Sequence, residues 1–180
     1  MEQSLKSSFK DRIVRAAKLD VDVYEEVEAD KEAMGQALGV VVLSNIAAGI
    51  GSIAGSWIST LIVGTILGLI SWFVWAYLTY IIGTKVLPEP QTRADYGQLL
   101  RTIGFSSSPG LIRVVGIIPG LRWIVFVGSS IWMLVAMVIA VRTALDYKST
   151  FRAVAVCFIG WLIQGILFAI MFSLFGKSGH

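Results

Sequence analysis

The chain has 180 residues, of which 56% are hydrophobic and only 15% charged, and its mean hydropathy is +0.75. Because soluble domains carry about a quarter charged residues, this composition excludes an ordinary water-soluble protein and indicates an integral membrane protein. The single cysteine, Cys157, excludes an intramolecular disulfide, and the single histidine, His180, stands at the last position. The heavily charged residues 1–32 lack the apolar core of a secretory signal peptide, so we expect none.

Residues 1–32 are predicted to form a cytoplasmic helical segment ahead of the membrane domain. The apolar positions of the basic stretch 1–19 recur at helical spacing on one face: Leu5, Phe9, Ile13 and Ala16. This pattern predicts an amphipathic helix that lies on an anionic membrane surface, with Lys6 and Arg12 snorkelling beside the apolar stripe. A helix docked on the rest of the protein is the alternative.

The next stretch, residues 20–32, is acidic and holds seven of the twelve Asp and Glu residues of the chain. Asp22 followed by Glu25 resembles a capping box, which predicts a helix that begins here and runs into the first span. Such a charge run is typical of a solvated collar rather than a metal site. We therefore take Glu25, Glu26 and Glu28 as a candidate surface for a protein partner.

Three stretches without any charged residue, 33–84, 123–141 and 153–176, indicate membrane-spanning helices. A span needs about 20 mostly apolar residues, so the first stretch is long enough for two spans. The three stretches thus provide four spans. With an irregular span that lies third in the chain, they make up a predicted membrane domain, residues 33–180. The five predicted spans cover residues 33–53, 57–86, 99–118, 121–145 and 151–175.

Small residues spaced four apart in the first two spans predict close contacts between helices. These positions are Gly35, Gly39, Gly51, Gly55, Gly64 and Gly68.

The third predicted span is irregular because its core, "GFSSSPGLIRVVGIIPG" at residues 104–120, contains two prolines and Arg113. A helix over residues 109–118 would be only about 15 Å long, half the thickness of the hydrocarbon core. Irregular backbone at this depth needs cover from protein or water, so we expect either a broken span or a re-entrant hairpin enclosed by other helices. Arg113 is a candidate contact for a lipid phosphate or an anionic ligand, or else it snorkels to the nearest interface.

The distribution of basic residues places the N-terminus in the cytoplasm. With five spans, twelve of the fifteen Lys and Arg residues lie on the N-terminal side, and only Arg113, Arg122 and Lys177 lie on the other. A re-entrant third segment gives the same ratio, so charge does not decide the number of spans. Arg142 and Arg152 flank the short link between the last two spans. They are candidate contacts for lipid head groups, or plain topology anchors.

Several motifs resemble the membrane domain of the Yip family, the Ypt/Rab-GTPase-interacting proteins, and its prokaryotic branch in particular. They are "GFSSSPG", "IPG", "IWMLVAMVIAVRTALDYKSTFRAVAVCFIGWL" and, before the first span, "AKLDVDVYEEVEADKEAMGQAL". The matched positions include Gly104, Phe105, Ser106, Pro109, Pro119, Trp132, Val141, Arg142, Ala144 and Leu145. The resemblance implies five transmembrane helices, with the N-terminus inside and the C-terminus outside.

In eukaryotes the family is tied to vesicle traffic, to prenylated Rab-type GTPases and to membrane shaping. Eukaryotic members carry an Asp-Leu-Tyr-Gly-Pro motif before the first span, and this chain has only "DYGQ", residues 95–98, in a later loop. This departure argues against GTPase binding and favours a prokaryotic plasma (inner) membrane.

No catalytic motif is found in the sequence. "FGKSG" near the C-terminus lacks the first glycine of a phosphate loop, since Met171 stands there. The predicted spans hold no Asp or Glu, which argues against a proton- or sodium-coupled carrier.

The sequence therefore predicts an all-α integral membrane protein, a five-helix bundle with a short, broken third span and an N-terminal cytoplasmic amphipathic helix. We expect a non-enzymatic scaffold or adaptor without cofactor, metal or nucleic acid. Its partners would be membrane lipids, another membrane or cytoplasmic protein, or a second copy of itself. The alternative is a transporter or channel for lipid or a small solute, with a path near Arg113.

Overall fold

The computed structural model describes residues 7–52 and 57–175, and these residues form seven α-helices and no β-strand. The helices are α1 (Phe9–Ala17), α2 (Val21–Ala29), α3 (Met34–Ser52), α4 (Trp57–Ile81), α5 (Tyr96–Phe105), α6 (Arg122–Ala144) and α7 (Thr150–Phe175). Three further segments have helical geometries other than α: a 3₁₀ turn at Lys31–Ala33, a π-turn at Ile82–Val86 and a long 3₁₀ segment at Ser108–Ile117.

Four helical stretches are long and apolar enough to cross a bilayer: Lys31–Ser52, Leu61–Val86, Arg122–Ala144 and Thr150–Leu167. Most of their residues face outward, because at most 33% of the most apolar window of any of them is buried inside the protein. Water would not tolerate so large an apolar surface, whereas lipid does. The protein is an integral membrane protein with a helical bundle, as the composition predicts.

The helix in the acidic stretch differs from the prediction at both ends, and its cap is Asp20 rather than the predicted Asp22. Asp20 caps α2 by accepting a hydrogen bond from the Asp22 backbone N–H at 3.1 Å, so a helix does begin in the acidic stretch. The prediction that it runs into the first span is wrong. Asp30 has an extended backbone that ends α2, and its side chain then caps the next turn by accepting from the Glu32 N–H at 3.1 Å.

The segment after α5 breaks from α-helix into 3₁₀-helix because Pro109 has no N–H to continue the α-helical ladder. The Ser107 N–H bonds to the carbonyl of Gly104, and the Gly110 N–H bonds to that of Ser107, both three residues back. At about 2.0 Å per residue, the ten residues of the 3₁₀ segment extend about 20 Å. The chain then turns at Gly120, which has a φ of +86°, and enters α6.

The broken segment consists of the end of α5 and the 3₁₀ segment, residues 104–117. It runs beside α3 in the same direction and does not fold back. A Cβ at Gly104 would lie 2.8 Å from the Cβ of Ala37, and one at Gly116 would lie 3.1 Å from the carbonyl oxygen of Gly51. Between these two contacts the segment follows α3 for fourteen residues, about 21 Å of helix. The segment therefore begins near the N-terminal end of α3 and finishes near its C-terminal end.

We call the end of the bundle at which α3 begins the N-terminal end. It also carries α1, α2, the loop 87–95 and the α6–α7 turn. Tyr147 ties the π-turn to this turn, since its hydroxyl donates to the carbonyls of Gly83 at 2.9 Å and Leu87 at 2.6 Å. The carboxylate of Glu89 accepts from the N–H groups of Lys148 at 3.1 Å and Ser149 at 3.4 Å, at the free N-terminus of α7.

Candidate functional site: a cavity inside the helix bundle

A cavity of about 850 Å³ lies between α3, α4, the broken segment, α6 and α7. This volume is in the range of ligand sites in proteins, roughly 300 to 1,000 Å³. Its large apolar lining residues are Trp72, Trp75, Met133, Met137, Phe158 and Trp161. Its polar lining residues are Ser44, Asn45, Ser71, Ser107, Gln164 and Arg113.

Beside the cavity, α7 packs against α4 at Gly160. There the backbone of Gly160 allows contact with Trp75, since a Cβ at this glycine would lie 3.4 Å from the Trp75 ring. On the other side the cavity is lined by side chains that are more than half exposed, Leu134 at 57%, Phe158 at 58% and Trp161 at 65%. The cavity is therefore open toward the surrounding bilayer between α6 and α7.

Arg113 forms one end of the cavity and is held by neutral groups. Its Nε donates to the Ser129 hydroxyl at 2.9 Å, and one terminal nitrogen donates to the Ser130 hydroxyl at 2.9 Å. The guanidinium carbon lies 5.5 Å from the ring centroid of Phe126, a cation–π distance. Both serine hydroxyls also donate to the carbonyl of Phe126, so α6 holds the two hydroxyl oxygens in place as acceptors for the guanidinium.

No carboxylate compensates the charge of Arg113 among the described residues. The sequence has no Asp or Glu in residues 33–88, 96–145 or 147–180. The described acids therefore lie in the segments and loops of the N-terminal end. The backbone of Arg113, by contrast, abuts Gly51 near the C-terminal end of α3. A cation in such surroundings needs water or an anion from outside the chain.

A sequence profile of the Yip1 domain matches residues 22–172. The chain belongs to the Yip1 family. No curated protein and no solved structure is detectably similar to it. The matched range contains α2 except for its first residue, and it contains every residue that lines the cavity, so the cavity is a feature of the Yip1 domain of this chain.

The family-motif residues of this Yip1 domain shape the broken segment. Gly104 allows the contact with α3, Phe105 is completely buried, and Pro109 is the second residue of the 3₁₀ segment. Pro119 is exposed and precedes the turn at Gly120, whereas Trp132 lies on α6 with 38% of its surface exposed.

The predicted packing glycines fall into different environments. A Cβ at Gly51 would overlap the Arg113 carbonyl, and one at Gly68 would overlap the Asn45 side chain, so both glycines permit close helix contacts. Gly39 faces Phe9 of α1. Gly35 and Gly64 have no atom within 4 Å of a Cβ position and mark no contact within the described residues, and Gly55 lies outside them.

The basic residues Arg142 and Arg152 both hold the α6–α7 turn of the Yip1 domain. Arg142 donates from Nε to the Tyr147 carbonyl at 3.2 Å. Arg152 donates to the Pro88 carbonyl at 2.8 Å and lies 3.6 Å from a carboxylate oxygen of Glu89. Both remain partly exposed, and a contact with lipid head groups stays a prediction.

Arg12 does not snorkel beside an apolar stripe, as the sequence pattern predicted, because its side chain is completely buried. It lies 2.9 Å from carboxylate oxygens of both Glu26 and Asp30, and it donates to the Gln36 amide oxygen at 2.9 Å. Arg15 reaches the other oxygen of Glu26 at 2.8 Å. This network docks α1 on α2 and on the start of α3.

The three acids predicted as a partner surface lie in different surroundings, and their contact with a partner stays a prediction. Burial acts to raise the pKa of Glu26, but hydrogen bonds from Arg12, Ser7 and Arg15 outweigh it and lower that pKa. Glu28 is partly buried and accepts from the Gln98 amide at 3.1 Å, whereas Glu25 is exposed.

Glu28 and Glu25 line a second cavity of about 700 Å³ between α2, α5 and α6, together with Asp146. Burial, and then the negative charge of Asp146, raise the pKa of Glu28 to about 7. Within the described residues no three His, Cys, Asp or Glu side chains are placed to hold a metal ion.

Arg101 is one of the twelve basic residues assigned to the N-terminal side by the charge count, and in the structure it holds two helices together. It is 5% exposed, and it donates from Nε to the Val27 carbonyl at 2.9 Å and from a terminal nitrogen to the Glu28 carbonyl. It thereby satisfies carbonyls that the end of α2 leaves free. The only sequence signal for this role is that Arg101 is the one charged residue of α5.

Proposed function

We propose that this Yip1-family protein is a non-enzymatic membrane scaffold that binds lipid inside its bundle. The observation that carries the proposal is the 850 Å³ cavity with Arg113 at one end and no carboxylate near it. An apolar cavity with one cation and an opening toward the bilayer matches the chemistry of an amphiphile. A bound lipid would complete the packing of α4, α6 and α7 and so become part of the scaffold.

The proposed topology has five crossings, with the N-terminus in the cytoplasm and the C-terminus outside. The course of the broken segment beside α3 supports it, because the chain enters α6 from the end opposite to that at which α5 began. The clustering of basic residues at the N-terminal end supports the orientation. A prokaryotic plasma membrane fits the missing Asp-Leu-Tyr-Gly-Pro motif.

Cysteine labelling tests this topology. In a Cys157→Ser background, new cysteines at Ser149 and Ser178 should react with an impermeant maleimide from opposite sides, with position 149 inside. A re-entrant third segment would exchange the two sides and contradict the proposal.

Lipid binding is tested on the protein purified in mild detergent and washed extensively. We expect mass spectrometry to detect about one retained phospholipid per chain. Ser71→Phe, which fills the cavity beside Trp72, should lose it. Complete absence of retained lipid in a folded wild-type protein would contradict the proposal.

A protein partner would meet residues 1–32, the proposed cytoplasmic segment docked on the membrane domain 33–180. Glu25 is the informative residue, since it is exposed while Glu26 is held by Arg12 and Arg15. Glu25→Lys should reduce crosslinking to a specific partner in intact membranes. The matched control is Glu32→Lys, which changes another exposed acid. Equal recovery with both variants argues against this surface.

A transporter or channel for lipid or a small solute is the second candidate, because Ser44, Asn45 and Ser71 line the same cavity as Arg113 inside the bundle. In proteoliposomes this candidate predicts flux that Arg113→Ala alters. A protein that retains lipid but shows no flux over a broad panel of solutes and lipids would exclude transport and leave the scaffold.

A further inference from the structure

We infer that the cavity is a specific site for an anionic phospholipid, whose phosphate binds Arg113 and whose acyl chain lies against Trp72 and Trp75. The inference rests on the proposed lipid binding and names its ligand. The lipid would enter between α6 and α7, from the leaflet at the end of the bundle opposite α1 and α2.

The donors of Arg113 are only partly used by the protein. Nε and one terminal nitrogen bind the hydroxyls of Ser129 and Ser130, and the other terminal nitrogen has no acceptor among the described residues. Guanidinium groups bind phosphate oxygens through paired, charge-assisted hydrogen bonds, which are stronger than bonds to a hydroxyl. A phosphate beside the two serines would supply both the missing acceptor and the missing negative charge.

The depth of Arg113 argues against simple snorkelling. Gly110 contacts Met133 and Gly116 contacts Phe126, so the backbone of Arg113 lies at the level of Ser129 on α6. Ser129 is seven residues into α6, about 10 Å along the helix from its start. The guanidinium bonds at this same level rather than rising to the end of α6. A lipid phosphate drawn to it would sit below the usual head-group level, where only a strong and charged interaction can hold it.

The walls of the cavity fit an acyl chain. Trp72 and Trp75 are 5% and 8% exposed and close its inner side with aromatic rings. Met133 and Met137 add flexible, unbranched side chains that adapt to an irregular chain. The exposed side chains of Phe158 and Trp161 border the opening toward the bilayer. Charge at one end and a mostly apolar lining select an amphiphile over a hydrophilic anion.

The experiment uses the full chain in lipid nanodiscs with a photoactivatable diazirine on the acyl chain of either phosphatidylglycerol or phosphatidylcholine. We expect phosphatidylglycerol to crosslink to α4, α6 and α7 residues of the cavity about tenfold more than phosphatidylcholine. Both lipids offer the same phosphate oxygens, but the choline cation of phosphatidylcholine offsets the phosphate charge and competes with Arg113 for it. Arg113→Gln should remove the preference, and Arg113→Lys should keep part of it. The matched control Arg122→Gln, at an exposed arginine outside the cavity, should keep all of it.

Ser71→Phe provides a second variant that leaves Arg113 in place. It should lower cavity crosslinking of both lipids without changing labelling of the outward face of α4. Equal cavity crosslinking by the two lipids in wild-type protein would overturn the anionic site and leave the proposed lipid binding intact. Crosslinks confined to outward faces, with no lipid retained after purification, would overturn both. Competition by inorganic phosphate as effective as that by phosphatidylglycerol would show a phosphate site and also overturn the inference.

Discussion

The bundle holds arginine side chains at both ends, but the groups that surround them differ. At the N-terminal end, Arg12 is completely buried between two carboxylates and an amide, and Arg101 caps the end of α2. Toward the other end, Arg113 contacts two hydroxyls and an aromatic ring beside a cavity. The paired arginines hold helices together, whereas an unpaired arginine beside open space is suited to a ligand.

The two ends of the bundle also differ in how their helices and loops are held together. The N-terminal end is closed by direct contacts, with Tyr147 and Glu89 tying loops to helix ends. The cavity end is held together largely by the contact of the broken segment with α3, at Gly51, and by the hydrogen bonds of Arg113 to Ser129 and Ser130. Four substitutions test whether the two ends differ in this way.

The largest effect is expected from Arg12→Ala. It leaves Glu26 and Asp30 facing each other near the partly buried Gln36, and removing one partner of a buried ion pair costs about 3–5 kcal/mol. Thermal unfolding in detergent should show a strong loss of stability. Lys10→Ala, at an exposed position of the same helix, should stay within about 0.5 kcal/mol. Similar unfolding temperatures for the two variants would mean that the network does not stabilise α1.

Gly51→Ala is expected to come next. The new Cβ overlaps the carbonyl of Arg113, so α3 and the broken segment must separate, at a cost of about 1–3 kcal/mol. Gly35→Ala is the matched control on the same helix, since its Cβ meets no atom within 4 Å. Alanine there should stabilise α3 by up to about 1 kcal/mol. If both substitutions are neutral, the backbone contact at Gly51 does not fix the segment.

The long helices could be predicted because a charge-free stretch of sufficient length has one outcome in a chain that enters lipid. The predicted span 121–145 is α6, Arg122–Ala144. The break in the third segment also follows from sequence, since Pro109 removes a backbone donor and too few apolar residues remain.

The partners of the arginines could not be predicted in the same way. Arg12 lies 14 residues from Glu26 and 24 from Gln36, and only the angle at which α1 docks brings these groups together. The course of the broken segment could not be predicted either, because both topologies gave the same charge count. In the structure, its contacts with α3 determine that course. The cavity depends on how the helices pack, and no residue pattern records a space between helices.

Glu28 is the exception at the paired end, and its pH dependence gives a smaller effect. Burial and the nearby Asp146 raise its pKa to about 7, above the value near 4.3 of an unfolded chain. Its charged form is thus disfavoured in the folded protein, so stability is full below about pH 4.3 and falls as the pH rises to about 7. After division by the intrinsic exchange rate, which itself rises with pH, the hydrogen-exchange protection of the α2 amides should fall between about pH 5 and pH 8.

Glu28→Gln should flatten this dependence, because glutamine stays neutral and can still accept from Gln98. The groups that face Glu28 are Asp146, Arg101, Glu25 and Asp95. Glu32→Gln, at an exposed acid of the following turn, should keep the wild-type profile. An unchanged profile in Glu28→Gln would assign the pH dependence to another group.

The smallest effect on stability is expected at Arg113, although it is the candidate ligand contact. Arg113→Met removes two hydrogen bonds but also an uncompensated charge, and Ser129 and Ser130 retain the carbonyl of Phe126 as their acceptor. These terms oppose each other, so the unfolding free energy of lipid-free protein should change by less than about 1 kcal/mol. Lipid should then raise the unfolding temperature of the wild type and leave that of Arg113→Met unchanged. A loss of stability as large as that of Arg12→Ala, in the absence of lipid, would make Arg113 a structural residue and end the contrast between the two ends.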